Sequence, residues 1–149
     1  MQQWLQDTID LVEPEARKQH VVVKLLATQK IEMYGDRSQL QQVLVNLLMN
    51  AIHVSDPQEV VEISGQRTGD RLVKIVVSDQ GKGIEESNKV KIFDPFFTTK
   101  AVGEGSGLGL SISLGIIQFH NGRLELENNR KGGVDAIITL PLSSESDES

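Results

Sequence analysis

The sequence predicts an α/β sandwich, a mixed and mostly antiparallel sheet with helices packed on one face. Three observations point there. Helical and strand-like segments are interspersed without a regular strand–helix–strand repeat, which argues against a doubly wound parallel sheet. The chain closes on two alternating segments joined by a short connection, which reads as an antiparallel hairpin. Aromatic residues make up only 4% of 149 residues against a hydrophobic content of 38%, so the core is expected to be aliphatic, built from Leu, Ile and Val. That length suits one domain and is too short for two.

Trp4, Leu5, Ile9, Val12 and Ala16 recur at helical spacing and predict a helix over Trp4–Lys18. Pro14 predicts a kink or an early stop there, because it lacks a backbone N–H. The β-branched run Val21–Leu26 reads as a strand and Ile31–Met33 as a short second one. Asp36, followed three residues later by Gln39, opens the next helix in the manner of a capping box. Leu40, Val43, Leu44, Leu47, Leu48 and Ala51 then line one face of it. At ~100° per residue, Asn46, Asn50 and His53 fall together on one edge of that apolar stripe, where polar groups look into a cleft or onto a rim.

Val60–Gln66 and Leu72–Ser78 read as strands joined across Thr68-Gly69-Asp70. The second is almost continuously apolar and ends on Asp79, so a carboxylate emerges where a buried strand stops. Glu85–Ile92 reads as a short helix, and 94–107 as a Gly-rich, mobile loop. Leu108–Phe119 is apolar on most sides and predicts a buried helix. Leu124–Glu127 and Val134–Leu140 form the closing hairpin across Asn129–Gly133. The polar, acidic Ser143–Ser149 reads as a disordered tail, which leaves 1–142 as the domain.

Composition excludes several classes. A net charge of −6 argues against a nucleic-acid surface that works by broad phosphate neutralisation, but not against a nucleotide whose charge a metal ion offsets locally. Cysteine is absent, which removes disulfides and thiolate metal sites. His20, His53 and His120 lack metal-ligand spacing, so neither a zinc site nor a Ser–His–Asp triad is expected. No apolar run approaches the ~20 residues of a membrane span and no signal peptide opens the chain. The expectation is a cytoplasmic unit without membrane contact of its own, the anchoring of any longer parent being left open.

Four segments carry the chemistry. Asp79-Gln80-Gly81-Lys82-Gly83 follows a buried strand. An Asp there can accept a hydrogen bond from an exocyclic amine such as adenine N6, with glycines letting the backbone approach the ligand. Read alone, the pentapeptide is first a turn, since Asp and Gly are common turn residues. Gly103-Glu104-Gly105-Ser106-Gly107-Leu108-Gly109-Leu110 ends where a helix begins, so unpaired N–H groups and the positive end of the dipole face an anion. It lacks the Gly-Lys-Ser/Thr of a P-loop, and a flexible connector is the plainer reading of it alone. Asn46 and Asn50 offer two hard amide oxygens one turn apart, of the kind Mg²⁺ takes, although solvated or capping asparagines would look the same. Phe93, Phe96 and Phe97 cluster before Thr98-Thr99-Lys100, an aromatic anchor for a mobile loop with a lysine within reach of phosphate.

Taken in order, these segments resemble the N, G1, F and G2 boxes of sensor histidine kinases, which belong to the GHKL (Bergerat-fold) ATPase superfamily. The resemblance runs from about Trp4 to Leu142, and the N-box form is Gln42-Val43-Leu44-Val45-Asn46-Leu47-Leu48-Met49-Asn50-Ala51. Gly132-Gly133 and Leu140-Pro141 look like the usual C-terminal end, and Phe-Phe-Thr-Thr-Lys is similar to kinases of the nitrogen-regulation and oxygen-sensing type. The resemblance implies ATP and Mg²⁺ as ligands, with Asn50 on the metal and Asn46 supporting it or meeting the metal through water. It implies that Asp79 reads adenine, with Gly81, Gly83 and Ile84 close to the base. Residues from about Asp94 to Ser106 would form a lid, with Phe93, Thr98, Lys100 and Ser106 contributing to binding. Gly105, Gly107, Leu108 and Gly109 would line the triphosphate. The partners implied are a histidine-bearing dimerisation domain of the same parent protein and a response-regulator receiver domain, with no nucleic acid.

Three departures from the family pattern bear on activity. No phosphate-accepting His-Glu-x-x-x-Pro segment is present, so the chain looks like an excised catalytic domain unable to phosphorylate itself. His53 stands where many members place Lys or Arg near the phosphates, and its role stays open. Asn46 stands where hydrolytic members use Glu to activate water, and an amide cannot abstract a proton. That favours a kinase, whose nucleophile comes from another protein, over a gyrase- or MutL-type ATPase. A serine kinase of the same fold and a module that only senses ATP remain as alternatives.

Overall fold

The computed structural model describes residues 2–26, 37–68, 71–81, 109–129 and 132–141. These form three helices and five strands in the order α1 (Gln2–Gln19), β1 (Val22–Leu25), α2 (Arg37–Val54), β2 (Val60–Thr68), β3 (Leu72–Ser78), α3 (Gly109–Phe119), β4 (Arg123–Asn128) and β5 (Val134–Pro141). The expected strand at 31–33, the helix at 85–92, the loop at 94–107 and the tail at 143–149 lie outside the described residues.

The strands make one sheet in the order β1-β2-β3-β5-β4. Only β1 and β2 run parallel; the other pairs are antiparallel. The mixed, mostly antiparallel sheet is therefore as the sequence predicts. Register places Ile63, Val77, Ala136 and Leu126 in one row, and Gly65, Ile75, Ile138 and Leu124 in the next. Because side chains alternate faces, these rows share the face that meets the helices, and their apolar members belong to a single core cluster with α1 and α2. Two rows of the other face, Glu62-Ser78-Asp135-Glu127 and Gln66-Lys74-Thr139-Arg123, are polar, and the row between them carries Val76 and Ile137.

Helix α2 is the centre of the helical layer, packed on α1 and on α3. Its stripe of Leu40, Val43, Leu44, Leu47, Leu48, Ala51 and Ile52 is buried throughout. Thr8 of α1 is also fully buried, and both of its needs are met within the layer: its hydroxyl donates to Trp4 O at 2.8 Å and accepts from Gln41 Nε2 of α2 at 3.1 Å.

Two expectations need correction. Helix α1 does not stop at Pro14 but continues to Gln19. Pro14 sits on the exposed face, where the carbonyl deprived of a donor meets water, while Val12 and Ala16 hold the helix to the core. The helix ends instead at His20, whose φ of 61° lets Val21 N–H reach Ala16 O and His20 N–H reach Arg17 O, a Schellman closure. Helix α3 is not buried on most sides. Ser113 and Ile117 are fully buried, but Ile112 is 44% and Phe119 79% exposed, because α3 flanks the layer and, among the described elements, packs chiefly on α2 and β4.

Candidate functional site

Asp79 directly follows β3, and its N–H extends the ladder by donating to Val134 O at 3.0 Å. Its carboxylate turns back on the same place. Oδ1 accepts from Val134 N–H at 3.1 Å and from Gly81 N–H at 3.0 Å, the second being the Asx-turn bond that two-residue spacing permits. Both donors use one oxygen, so Oδ2 keeps its acceptor capacity. Asp79 is 6% exposed. Burial pushes its carboxyl above the ordinary range; the Val134 and Gly81 N–H groups pull the other way, and the charges of Asp135 and Glu59 add to the rise. What results is a fixed, nearly buried acceptor at the end of a central strand.

Two glycines make the arrangement possible. A Cβ at Gly81 would overlap the backbone carbonyl of Val54, so the absence of a side chain lets the Asp79 loop lie against the end of α2. The glycine serves the approach of two protein segments, a role that reading it only as a glycine beside a ligand did not anticipate. A Cβ at Gly133 would overlap the carbonyl and Oδ1 of Asp79. The intervening Gln80 faces elsewhere: its Oε1 accepts from Val60 N–H at 2.9 Å and completes the start of β2.

The N-box edge lies on α2, whose C-terminus Gly81 touches. Asn46 and Asn50 are half-buried, one turn apart. Asn46 Nδ2 donates to Ser113 Oγ of α3 at 3.3 Å, and Ser113 is fully buried. That bond ties the N-box helix to the helix that Gly109 opens, and it leaves the Asn46 amide oxygen free to act as a hard ligand. Among the described residues, no group of three or more His, Cys, Asp and Glu could hold a metal. An ion here would take amide oxygens and complete its shell from phosphate and water, which suits Mg²⁺ and its preference for few protein ligands. His53 reaches across to α1, with Nε2 3.1 Å from Glu15 Oε2. Glu15 is held below its ordinary range first by the hydrogen bond from Gln19 and then by the one from His53.

The fold thus sets the Asp79–Gly81 loop against the end of α2, the helix that carries Asn46 and Asn50, and ties Asn46 to α3 through Ser113. Gly83, Ile84, Phe93, Thr98, Lys100, Gly105, Ser106, Gly107 and Leu108 lie outside the described residues. Sequence reasoning missed Asn129, Gly133 and Val134 as parts of the Asp79 site. Only the doubled glycine at 132–133 hinted at a close approach, and nothing in the sequence said to what.

The model of the "Histidine kinase-, DNA gyrase B-, and HSP90-like ATPase" family matches residues 35–144. Sensor histidine kinase ZraS of Salmonella typhimurium is 34% identical over 136 residues, covering 91% of this chain and 29% of ZraS. Sensor protein FixL of Bradyrhizobium diazoefficiens is 38% identical over 134 residues, covering 87% of this chain and 26% of FixL. The chain therefore spans less than a third of the length of these relatives. Among solved structures, the catalytic domain of histidine kinase ThkA superposes with a TM-score of 0.83 at 34% identity, covering 95% of this chain and 94% of that one. ThkA in complex with response regulator protein TrrA gives 0.80 at 32% identity, over 97% of this chain and 41% of that one. With its four motifs in order, its Bergerat α/β fold and these matches, the chain belongs to the histidine kinase-, DNA gyrase B- and HSP90-like ATPase family, as an ATPase domain of the sensor histidine kinase type.

Proposed function

We propose that this domain binds Mg-ATP in the cytoplasm and delivers the γ-phosphoryl group to a histidine on an adjacent dimerisation domain, from which it passes to a response-regulator aspartate. The observation that carries the nucleotide assignment is the Asp79 carboxylate. One oxygen is spent on two backbone donors, and the other is an acceptor of fixed position suited to the adenine N6 amine. Asn50 supplies the amide oxygen for Mg²⁺, with Asn46 beside it. The metal, when bound, offsets triphosphate charge. Gly109 and the glycines before it present N–H groups to the phosphates at the start of α3, where the dipole favours an anion. The lid assignments of Phe93, Thr98, Lys100 and Ser106 belong to the same proposal, as do Gly83 and Ile84 beside the base and Gly105, Gly107 and Leu108 beside the phosphates.

Asn46 supports transfer to protein rather than to water. Its amide has no basic lone pair for a proton, and its NH₂ is already committed to Ser113. A neutral imidazole nitrogen needs no such base: it forms the new N–P bond as the bond from phosphorus to the bridging oxygen of ADP breaks. Mixing the domain with ATP, Mg²⁺ and a histidine-bearing dimerisation domain in trans should give an acid-labile, base-stable phosphoryl group on that partner. Steady hydrolysis by the domain alone, without transfer, would overturn the kinase reading in favour of an ATPase. The ThkA–TrrA complex supports the proposed relay, since a related kinase is held there with a response regulator.

A further inference from the structure

Asn129 follows β4, fifty residues beyond Asp79, in what the sequence presents as an ordinary hairpin turn. The turn closes through its backbone: Asn129 N–H donates to Gly133 O at 2.9 Å, and Gly132 N–H to Asn129 O at 3.3 Å. The side chain has a different set of partners. Its Oδ1 accepts from Gly133 N–H at 3.0 Å. Its Nδ2 donates to the backbone carbonyl of Asp79 at 2.9 Å, with Asp135 Oδ1 at 3.1 Å and Ser78 Oγ at 3.3 Å sharing the amide hydrogens.

Asp79 is thereby held at every backbone polar group. Its N–H is on Val134, its carbonyl on Asn129, and its Oδ1 on Val134 and Gly81. Gly133, which Asn129 Oδ1 fixes, is the residue whose missing side chain leaves room for that carbonyl and carboxylate. From this circuit we infer that Asn129 is a positioning residue for adenine recognition, locking the Asp79 peptide so that Oδ2 is offered to the base in one orientation. The inference rests on the adenine role proposed for Asp79. A pre-set acceptor discriminates more sharply than one that must be ordered by the ligand, because the ordering cost is already met in folding.

The test uses the 149-residue chain and two nucleotides, ATP and purine riboside triphosphate, which lacks the N6 amine. Calorimetry gives both affinities for the wild type, Asp79→Asn, Asn129→Ala and the double variant, with melting curves to establish folding. Asn129→Ala is expected to lose about three- to tenfold of the ATP preference, the worth of one hydrogen bond. In the double variant it should remove nothing beyond what Asp79→Asn already removes, the non-additivity of residues acting as one unit. A purely structural role would weaken both nucleotides alike and leave their ratio unmoved. Asn129→Ser, whose hydroxyl can still accept from Gly133 N–H but cannot span to the Asp79 carbonyl as well, carries the same test should the alanine variant not fold. An intact preference in a folded Asn129 variant, with the preference abolished by Asp79→Asn, overturns the positioning role and leaves the adenine reading standing. A preference unchanged in Asp79→Asn overturns both.

Discussion

The Asp79 end of the site and the Asn46–Asn50 edge of α2 are held in different ways. At Asp79 a nearly buried carboxylate is fixed by partners from three separate stretches: Gly81 beside it, Asn129 after β4, and Val134 of β5. Along α2 the asparagines project from a regular helix, half-buried, and the one side-chain bond seen for Asn46 is a 3.3 Å contact to Ser113. The difference suits two kinds of ligand. A rigid base read by a single hydrogen bond rewards a reader that cannot move. A metal–triphosphate that exchanges waters, the ligand proposed for this edge, is met by an Asn46 amide oxygen whose side chain is tied by one longer bond.

The sharpest way to break this comparison is Gly133→Ala. The new methyl would press on the Asp79 carbonyl and Oδ1, and overpacking of this kind destabilises by about 1–3 kcal/mol. Denaturant melts should register that loss, and ATP affinity should fall with it because Asp79 must shift. A variant as stable as the wild type with unchanged affinity would mean that Asp79 is not tightly held.

Next in size is Asn50→Asp. A negative charge beside the triphosphate should weaken metal-free ATP binding about tenfold, of the order expected for one close charge pair near a surface, and make binding depend more steeply on Mg²⁺. Titrations with and without Mg²⁺ that match those of the wild type would remove Asn50 from the metal site.

The buried carboxylate also predicts a pH signature. Because burial raises the Asp79 pKa above the ordinary 3.8, the folded chain holds this proton more tightly than the unfolded chain does. Its contribution to stability is therefore full at low pH and declines as pH rises from about 3.8 through the raised value. Asp79→Asn, whose Oδ1 can keep both backbone donors, removes that decline. It should gain in melting temperature relative to the wild type as pH rises above about 3.8. A difference constant with pH would contradict this.

The smallest effect belongs to the phosphate end. Ser113→Ala removes the partner of Asn46 Nδ2 and should cost about 0.5–1.5 kcal/mol in a denaturant melt, with little change in adenine preference. A large change in that preference would show that the two ends are not separately held.

How much of this could be read beforehand follows the range of the interactions. The α2 stripe was legible because 3.6-residue periodicity is local, and each of Leu40, Val43, Leu44, Leu47, Leu48 and Ala51 is buried. A carboxylate emerging at the end of a buried strand was legible at Asp79 for the same reason. Asn129 and Gly133 were not, because their meaning depends on β5 pairing with β3, which sets Val134 beside Asp79 across more than fifty residues of chain. Gly81 was singled out as a glycine beside a ligand, whereas the neighbour its missing side chain admits, the end of α2, is a tertiary fact. Pro14 misled as a stop signal because the rule against proline in helices is weakest where the deprived carbonyl can reach water. Helix α3 misled because apolar composition does not say how many neighbours a helix has, and Phe119 is left 79% exposed.

The central claim is that Asp79 reads the base, and ATP calorimetry on Asp79→Asn tests it most directly. The substitution keeps the Oδ1 acceptor for Gly81 and Val134 but turns the second oxygen into a donor facing the N6 amine, so the variant should remain folded while affinity falls about a hundredfold. A folded Asp79→Asn domain that binds ATP as tightly as the wild type would contradict the account.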